Sequence, residues 1–362
     1  MSAFSAVDHD FMQRALALAA QGLHTTQPNP RVGCVLVRDG VVVGEGWHQR
    51  AGEAHAEVHA LRLAGERAEG ATAYVTLEPC GLHGRTPPCA DALIRAGVRR
   101  VVIASEDAFQ REGAAIARMR AAGIAVQIGL LREEARELNV GFFQRIESGR
   151  PFVRLKLAMS LDGRTALASG ESKWITGEAA RADVQQWRAR SSAIVTGIGT
   201  VLADDPAFTV RWPGREFRPP LRVVLDSAAR LSAQSQLASD GLAPTLRAHA
   251  TDIGADQLPG VENLPIPHRP SGLDLQILLQ TLAQRGCNEV LVECGAKLAA
   301  TLLTEDLCDE LLLYIAPVLL GDQARPLLNG MNRARLADAT RLTLIEQVRI
   351  GDDLRLRLRR RS

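Results

Sequence analysis

Apolar runs of strand length alternate with amphipathic segments of helical period along the first 140 residues. Asp8 is predicted to cap a helix that continues to about residue 21. Asp39-Gly40 separates two strand-like runs, residues 32–37 and 41–45, which predicts a β-hairpin. The other predicted elements are helices at about residues 54–66, 90–96, 114–122 and 132–138 and strands at 72–77, 100–105 and 124–128. Five strands with helices between them favour one three-layer α/β/α domain.

The pattern restarts after a turn-like segment, Ser148-Gly149-Arg150-Pro151. Strands are predicted at residues 152–159, 193–197, 221–226, 289–293 and 310–315, and a helix at 177–190. Residues 227–270 are expected to form loops and short strands, and the alternation at 354–358 predicts an edge strand. Because 362 residues suit two domains, we expect domains at residues 1–147 and 148–362.

Composition excludes several classes of protein. The net charge of +2 and the aromatic content of 4% argue against a nucleic-acid-binding protein. No apolar run approaches the ~18 residues of a membrane span, and the first residues lack a secretion-signal pattern. We therefore expect a cytoplasmic protein with no membrane partner. In that setting the six cysteines are expected to be thiols or metal ligands rather than disulfides.

Lysine is scarce: only Lys156, Lys173 and Lys297 occur among 43 basic residues, and all three lie after residue 150. Codon composition explains most of this bias. Each lysine is nevertheless of interest, because lysine and arginine do different chemistry.

The first chemical cluster is His55-Ala56-Glu57, followed by Cys80 and Cys89. One imidazole and two thiolates are good zinc ligands, and a catalytic zinc site leaves its fourth position to water. Zinc lowers the pKa of that water, and a glutamate that is not a ligand can move protons. His-x-Glu with Pro-Cys and a further Cys is the pattern of nucleobase deaminases.

Two other metal sites are compatible with the residues. His55 and His59 share one helical face, but this pairing leaves both cysteines unused. His83 could supply a fourth ligand to a closed structural site. His48 and Cys34 are expected to serve packing or the pocket wall.

Three segments carry a resemblance to a known family: residues 29–33, 55–61 and 76–89, the last with eight residues between its cysteines. They resemble the bifunctional deaminase/reductase of riboflavin biosynthesis, over nearly the whole chain. The resemblance implies a cytidine-deaminase-like first domain that acts on 2,5-diamino-6-ribosylaminopyrimidinone 5′-phosphate. Its implied site residues are the zinc ligands His55, Cys80 and Cys89, the proton shuttle Glu57 and the substrate contact Asn29.

The chain departs from that family at two places near the pocket. Gly81-Leu82 stands where the family usually has Ser-His, and residues 107–110 replace Asp-Pro-Asn-Pro. One alternative is therefore a working reductase with an impaired deaminase half. A nucleic-acid deaminase and a non-enzymatic zinc scaffold are two further alternatives, disfavoured by the composition and by the free Glu57.

In the second half, residues 196–200 and 293–297 are glycine-containing turns that each follow a predicted strand. Either turn could be an ordinary strand-to-helix connection or could admit a phosphate. These residues alone do not identify a hydride transfer.

Residues 156–163, 174–176 and 200–206, with Thr209 and Arg211, resemble the reductase half of the same family, which is similar in fold to dihydrofolate reductase and uses NADPH. The resemblance implies cofactor contacts at Ala158, Trp174, Thr200, Asp204, Ser227 and Gly295. It implies substrate contacts at Ser172, Arg188, Phe208, Arg211 and Glu293. Lys156 either orients substrate or donates a proton, or is a strand lysine that faces solvent. We expect a homo-oligomer, either a dimer or a tetramer.

Overall fold

A computed structural model describes residues 4–82, 88–107, 109 and 114–361. The chain divides into two compact units, Met1–Gly149 and Arg150–Ser362. None of the described helices is long and apolar enough to cross a membrane.

The first unit contains a five-stranded sheet of order β2-β1-β3-β4-β5, in which β3, β4 and β5 are parallel and β1 is antiparallel to both neighbours. Its elements are α1 (Ala6–Ala20), β1 (Gly33–Arg38), β2 (Val41–Trp47), α2 (Ala56–Ala64), β3 (Thr72–Leu77), α3 (Cys89–Arg95), β4 (Arg100–Ser105), α4 (Ala115–Ala121), β5 (Ala125–Ile128), α5 (Arg132–Leu138) and α6 (Val140–Ser148).

Helices cover both faces of this sheet. The alternating side chains of β1 separate two cores: Leu36 packs with α2, α3 and α4, and Val35 packs with α1 and α5. The predicted three-layer α/β/α arrangement is therefore confirmed. The hairpin is confirmed as well, since Asp39 and Gly40 both have the positive φ that a tight two-residue turn requires.

Two local predictions in this unit are wrong. The N-cap of α1 is Ser5, not Asp8, and Asp8 lies three residues later in a capping box. His55 is the N-cap of α2 rather than a residue of its first turn. Helix α6 had no counterpart among the predicted elements.

The second unit contains a nine-stranded sheet of order β11-β10-β9-β8-β14-β6-β15-β18-β17, parallel except at its last two pairings. Its elements are β6 (Phe152–Ser160), β7 (Arg164–Ala166), α7 (Glu178–Arg190), β8 (Ala193–Gly197), α8 (Ile198–Asp204), β9 (Leu221–Leu225), α9 (Gln236–Ser239), β10 (Thr245–Ala250), β11 (Val261–Ile266), β12 (His268–Arg269), β13 (Gly272–Leu273), α10 (Leu275–Gln284), β14 (Glu289–Glu293), α11 (Ala296–Thr304), β15 (Glu310–Ala316), β16 (Arg325–Pro326), β17 (Leu342–Ile350) and β18 (Asp353–Arg360).

Helices α10 and α11 pack on one face of this sheet, while α7 and α8 pack on the other. Along β6, Val153, Leu155 and Leu157 belong to the core beneath α10 and α11. Since side chains alternate along a strand, Lys156 faces the α7 side.

The edge-strand prediction for residues 354–358 is wrong, because β18 lies between β15 and β17 and the outermost strand is β17. The arginines near the end of the chain are not simply a solvated tail. Arg359 pairs with the buried Glu310, and Arg360 pairs with Asp306.

Candidate functional site

Three candidate ligand side chains of the first unit converge at the start of two helices. His55 precedes α2, Cys80 follows β3 and Cys89 begins α3. The His55 Nδ1 atom lies 3.5 Å from Cys80 Sγ and 3.3 Å from Cys89 Sγ. The ligand atoms of these three residues all lie within 4.8 Å of one another. Within the described part of the chain, they form the group that could bind a metal ion.

The donor set fits zinc. Zn–S bonds of about 2.3 Å and Zn–N bonds of about 2.0 Å place the ligand atoms of a tetrahedral ion roughly 3.5 Å apart, as observed here. Hydrogen bonding from Cys89, and then from His55, lowers the pKa of the Cys80 thiol to about 4, although burial opposes this shift. The Cys89 backbone N–H also donates to Cys80 Sγ at 3.2 Å. A thiolate is the form that binds the metal.

His59 is not part of this group, so the alternative that paired it with His55 loses its support. His83, the suggested fourth ligand, lies outside the described residues.

Glu57 is the second residue of α2, two positions after the candidate ligand His55. Its side chain is only 3% exposed. Burial raises the pKa of its carboxyl to about 7, and the neighbouring Cys80 acts in the same direction. A carboxyl of this kind can both accept and return a proton near neutral pH. It is not one of the three grouped ligands, and its carboxyl lies within hydrogen-bonding reach of the ligand Cys89, so it can move protons beside the ligand group.

A layer of side chains supports the ligand His55. The buried His48 ring lies 5.4 Å from the His55 ring, edge to face. His48 Nδ1 contacts the Ala54 carbonyl at 3.1 Å, and Nε2 contacts Asn29 Nδ2 at 3.0 Å. The structure therefore places the predicted substrate contact Asn29 two side chains from the metal ligands. His48 is buried against the His55 ring, and Cys34 is buried in the core beneath α2.

The first departure segment directly follows the candidate ligand Cys80 in the chain. The Gly81 carbonyl accepts from Arg118 Nη1 at 2.7 Å, and Leu82 is exposed. Of the second segment, the buried Asp107 donates its backbone N–H to Glu78 Oε2 at 3.2 Å, and Phe109 is exposed. Ala108 and Gln110 lie outside the described residues.

In the second unit, the predicted site residues gather at the carboxyl edge of the parallel strands. Glu293 ends β14, Gly295 is the N-cap of α11, Thr200 and Asp204 lie in α8 directly after β8, and Ser227 follows β9. Strands β9, β8, β14 and β6 are adjacent in the sheet. In open α/β sheets this edge is where ligands bind.

The turns at this edge have an accessible backbone. A Cβ added at Gly199 or Gly295 would meet no atom within 4 Å, so a phosphate can approach the backbone there. The N-cap Gly295 provides no side-chain cap, which leaves the first N–H groups of α11 available.

Lys156 of β6, Arg188 of α7 and Glu293 of β14 form a charged group between α7 and the sheet. Glu293 lies beside Lys156 in the strand register and accepts Arg188 Nε at 2.6 Å and Nη2 at 2.9 Å. Arg188 Nη1 donates to the Thr209 carbonyl at 3.1 Å. Two of the predicted substrate contacts, Arg188 and Glu293, therefore form an ion pair with each other.

The charges in this group shift one another's pKa. Burial lowers the pKa of Lys156, Glu293 opposes this shift, and Arg188 adds to it. Burial would raise the pKa of Glu293, but Arg188 and then Lys156 hold it below its ordinary value. Lys156 is half-buried, which disfavours the alternative of a solvent-facing strand lysine.

Of the other predicted contacts, Phe208 packs directly against this group. Phe208 is buried beneath the Arg188 guanidinium, whose centre is 5.3 Å from its ring. Trp174 is exposed and stacks on Arg181, and Lys173 Nζ lies 3.9 Å from Asp204. Ser172 and Ala158 are half-buried, and Arg211 is exposed.

Two family models match the chain. The RibD C-terminal domain matches residues 151–356, and the cytidine and deoxycytidylate deaminase zinc-binding region matches residues 5–105. The riboflavin biosynthesis protein RibD of Escherichia coli K12 is 50% identical, with 97% of this chain and 99% of the relative covered. The chain belongs to the RibD family.

Further RibD relatives agree over the full length. RibD of Haemophilus influenzae is 48% identical, with 98% of each chain covered. The solved Acinetobacter baumannii RibD has a TM-score of 0.90 at 44% identity, with 98% of this chain and 99% of that chain covered. A Thermotoga maritima structure, described as a diaminohydroxyphosphoribosylaminopyrimidine deaminase/5-amino-6-(5-phosphoribosylamino)uracil reductase, has a TM-score of 0.89 at 33% identity with the same coverage.

Membership of the RibD family confirms the family resemblance and the predicted fold, a deaminase-like α/β unit followed by a reductase α/β unit. Tyr314 and Asp183 are not among the residues predicted from the sequence. Tyr314 lies beside Lys156, and Asp183 of α7 accepts a hydrogen bond from the Tyr314 hydroxyl. No local pattern identifies either residue, because each lies more than 25 positions from Lys156.

Proposed function

We propose that this RibD family member catalyses two consecutive steps of riboflavin biosynthesis. The first is zinc-dependent hydrolytic deamination of 2,5-diamino-6-ribosylaminopyrimidinone 5′-phosphate. The second is NADPH-dependent reduction of the ribosyl group to a ribityl chain. The observation that carries this proposal is the convergence of His55, Cys80 and Cys89 beside the buried Glu57, in a chain that matches RibD proteins along both units.

In the deaminase site, His55, Cys80 and Cys89 would hold a zinc ion. Zinc, when bound, lowers the pKa of a water molecule so that it can attack the amino-bearing ring carbon. Glu57 accepts the proton of that water and returns it to the departing amine, and ammonia leaves. Asn29, held by His48, contacts the pyrimidine.

In the reductase site, NADPH supplies the hydride. The cofactor contacts are assigned to the edge residues Ala158, Trp174, Thr200, Asp204, Ser227 and Gly295. The substrate contacts are assigned to Ser172, Arg188, Phe208, Arg211 and Glu293. Lys156 orients the ribosyl group or donates the proton that accompanies reduction. Its support is a half-buried ammonium that lies at the ligand-binding edge of the sheet.

The functional boundaries are proposed at residues 1–147 and 148–362, two residues from the division between the compact units. We assign the protein to the cytoplasm, which suits its six free thiols. We also propose a homo-oligomer, a dimer or a tetramer. Its support is the outermost strand β17, where Leu344 and Ile345 are exposed beside an unpaired edge.

One experiment tests both activities. Zinc-loaded full-length protein receives the diaminopyrimidine phosphate and NADPH, and ammonia release and NADPH oxidation are followed together. The proposal expects ammonia first and NADPH loss second. Ammonia without NADPH loss would overturn the reductase assignment. If NADPH is consumed only after a separate deaminase is added, the deaminase half of this protein is impaired. The departures at Gly81 and the exposed Leu82 would then be the first positions to restore by mutation.

A further inference from the structure

Lys156 has an unusual environment for a half-buried ammonium group. Among the described residues its side-chain nitrogen makes no hydrogen bond and no ion pair, whereas its backbone is paired within the sheet. Its nitrogen instead lies 5.7 Å from the centre of the Tyr314 ring. A tyrosine face within about 6 Å attracts a cation through the ring quadrupole. Such a face takes up none of the ammonium protons in a directed hydrogen bond, so they remain available to a ligand.

The strand register explains why Tyr314 reaches Lys156. Strands β15 and β6 are parallel, with Leu312 opposite Lys156 and Tyr314 opposite Ala158. Tyr314 therefore lies diagonally beside Lys156 on the face covered by α7, and it is 1% exposed. Glu293 occupies the other flank of Lys156, on β14.

The ring is fixed in place by its hydroxyl. Tyr314 donates to Asp183 Oδ2 on α7 at 2.6 Å. Asp183 in turn accepts Arg355 Nη1 from β18, at 2.8 and 2.9 Å to its two oxygens. Arg355 also donates Nη2 to Glu346 of β17 at 3.0 Å. Four elements thus hold one aromatic face against the lysine.

The carboxylate nearest to Lys156 is restrained as well. Glu293 is engaged by Arg188 through both of its oxygens. Arg188 therefore competes with Lys156 for that carboxylate, and the Tyr314 ring face is the second contact of the ammonium.

We propose that Tyr314 is a positioning residue of the reductase site: its ring face holds Lys156 toward the substrate, and Asp183, anchored by Arg355, fixes the ring. This inference rests on the proposed role of Lys156. It assigns Tyr314 no contact with substrate or cofactor.

The test uses full-length zinc-loaded protein with NADPH and 5-amino-6-(5-phosphoribosylamino)uracil supplied directly, so that reduction is measured without deamination. Tyr314→Phe keeps the ring face, and Tyr314→Leu removes it. We expect Tyr314→Leu to lower the reductase kcat about 10-fold, with both KM values nearly unchanged, and Tyr314→Phe to stay within about threefold of the parent. Equal losses in the two variants would overturn the role of the ring face.

A second series avoids any change of packing volume. Starting from the Tyr314→Phe variant, the ring is exchanged for mono-, di- and trifluorinated phenylalanine analogues. Each added fluorine weakens the ring quadrupole further. The proposal expects kcat to fall with each fluorine. A flat series, with Lys156→Met inactive, would overturn the role of Tyr314 alone. Full activity of Lys156→Met would instead overturn the proposed role of Lys156, and the inference with it.

Discussion

Glu57 combines three properties that are seldom found together: it is buried, it is next to metal ligands and it is not itself in the ligand group. Glu57→Gln keeps the size and the hydrogen-bonding ability of the side chain but removes the exchangeable proton. We therefore expect zinc to remain bound and ammonia release to fall at least about 100-fold. Metal analysis and an ammonia assay on the same preparation measure both quantities.

Glu53→Gln is the matched control, because Glu53 is an exposed glutamate of the same segment that pairs with the exposed Arg50 and is not one of the grouped metal ligands. It should keep both zinc and activity. Ammonia release by Glu57→Gln at a rate near the parent's would contradict the proton-shuttle role.

The residues themselves were largely predictable at this site, while their pairings were not. The residue types and spacing of His-x-Glu and the two cysteines indicate a zinc deaminase site. Arg188 and Glu293 are 105 positions apart in sequence, and only the fold shows that they form an ion pair. Tyr314 was missed for the same reason, since its link to Lys156 depends on the register of β15 against β6.

At the scale of elements, Glu310 connects three strands of the large sheet. It is fully buried at the start of β15 and accepts Arg154 of β6 and both Arg357 and Arg359 of β18. Removing one member of a buried charge network leaves the others uncompensated. We expect Glu310→Gln to lower the free energy of unfolding of the second unit by about 3–5 kcal/mol, measured by denaturant titration.

The pH dependence of that difference follows from the pKa of Glu310. Burial would raise this pKa, but Arg154 and Arg357 hold it well below its ordinary value. A lowered carboxyl pKa stabilises the folded state above the unfolded value of about 4.3, and the stabilisation is lost as the pH falls below it. The gap between the parent protein and Glu310→Gln should therefore be full at pH 7 and shrink below about pH 4. A gap that is constant from pH 7 to pH 3 would show that ion pairing is not its origin.

Helix α2, which carries Glu57, packs closely on strand β2. A Cβ at Gly46 would lie 2.4 Å from the His59 Cβ and 2.9 Å from the Ala56 carbonyl oxygen. Gly46→Ala must displace the start of the helix beside His55. We expect a loss of about 1–3 kcal/mol in stability, together with weaker zinc binding and slower ammonia release.

Gly254→Ala is the control, because a Cβ there would meet no atom within 4 Å. Thermal unfolding, zinc content and both activities are compared for the two variants. Normal zinc content and ammonia release in Gly46→Ala would show that α2 can shift without disturbing the site.

Several apolar strands and the amphipathic helix α5 were predicted with the correct bounds. The predicted bounds of β3, β4, α5, β8 and β14 match the structure. Strand β10 lies within residues 227–270, which the sequence predicts to form loops and short strands, and its polar residues Arg247 and His249 are buried. Arg247 is accommodated by Asn263 of the adjacent β11, a contact that no local pattern contains.

For the whole molecule, the restart of the pattern near residue 148 predicted two domains, and the chain does form two compact units. The order of the nine-stranded sheet could not be predicted in this way, because neighbours such as β14 and β6 are far apart in sequence. The same limitation produced the wrong edge-strand prediction for β18.

Two compact units, each with its own site residues, imply that removal of the metal affects the two activities unequally. The candidate ligands His55, Cys80 and Cys89 all belong to the first unit, whereas Lys156 and Glu293 belong to the second. We expect a chelator to abolish ammonia release while NADPH oxidation with 5-amino-6-(5-phosphoribosylamino)uracil keeps its rate. Calorimetry should show a lower unfolding temperature for the first unit only, since a bound metal stabilises the unit that binds it. Added zinc should restore ammonia release. A parallel loss of reduction during chelation, recovered with zinc, would contradict the independence of the two sites.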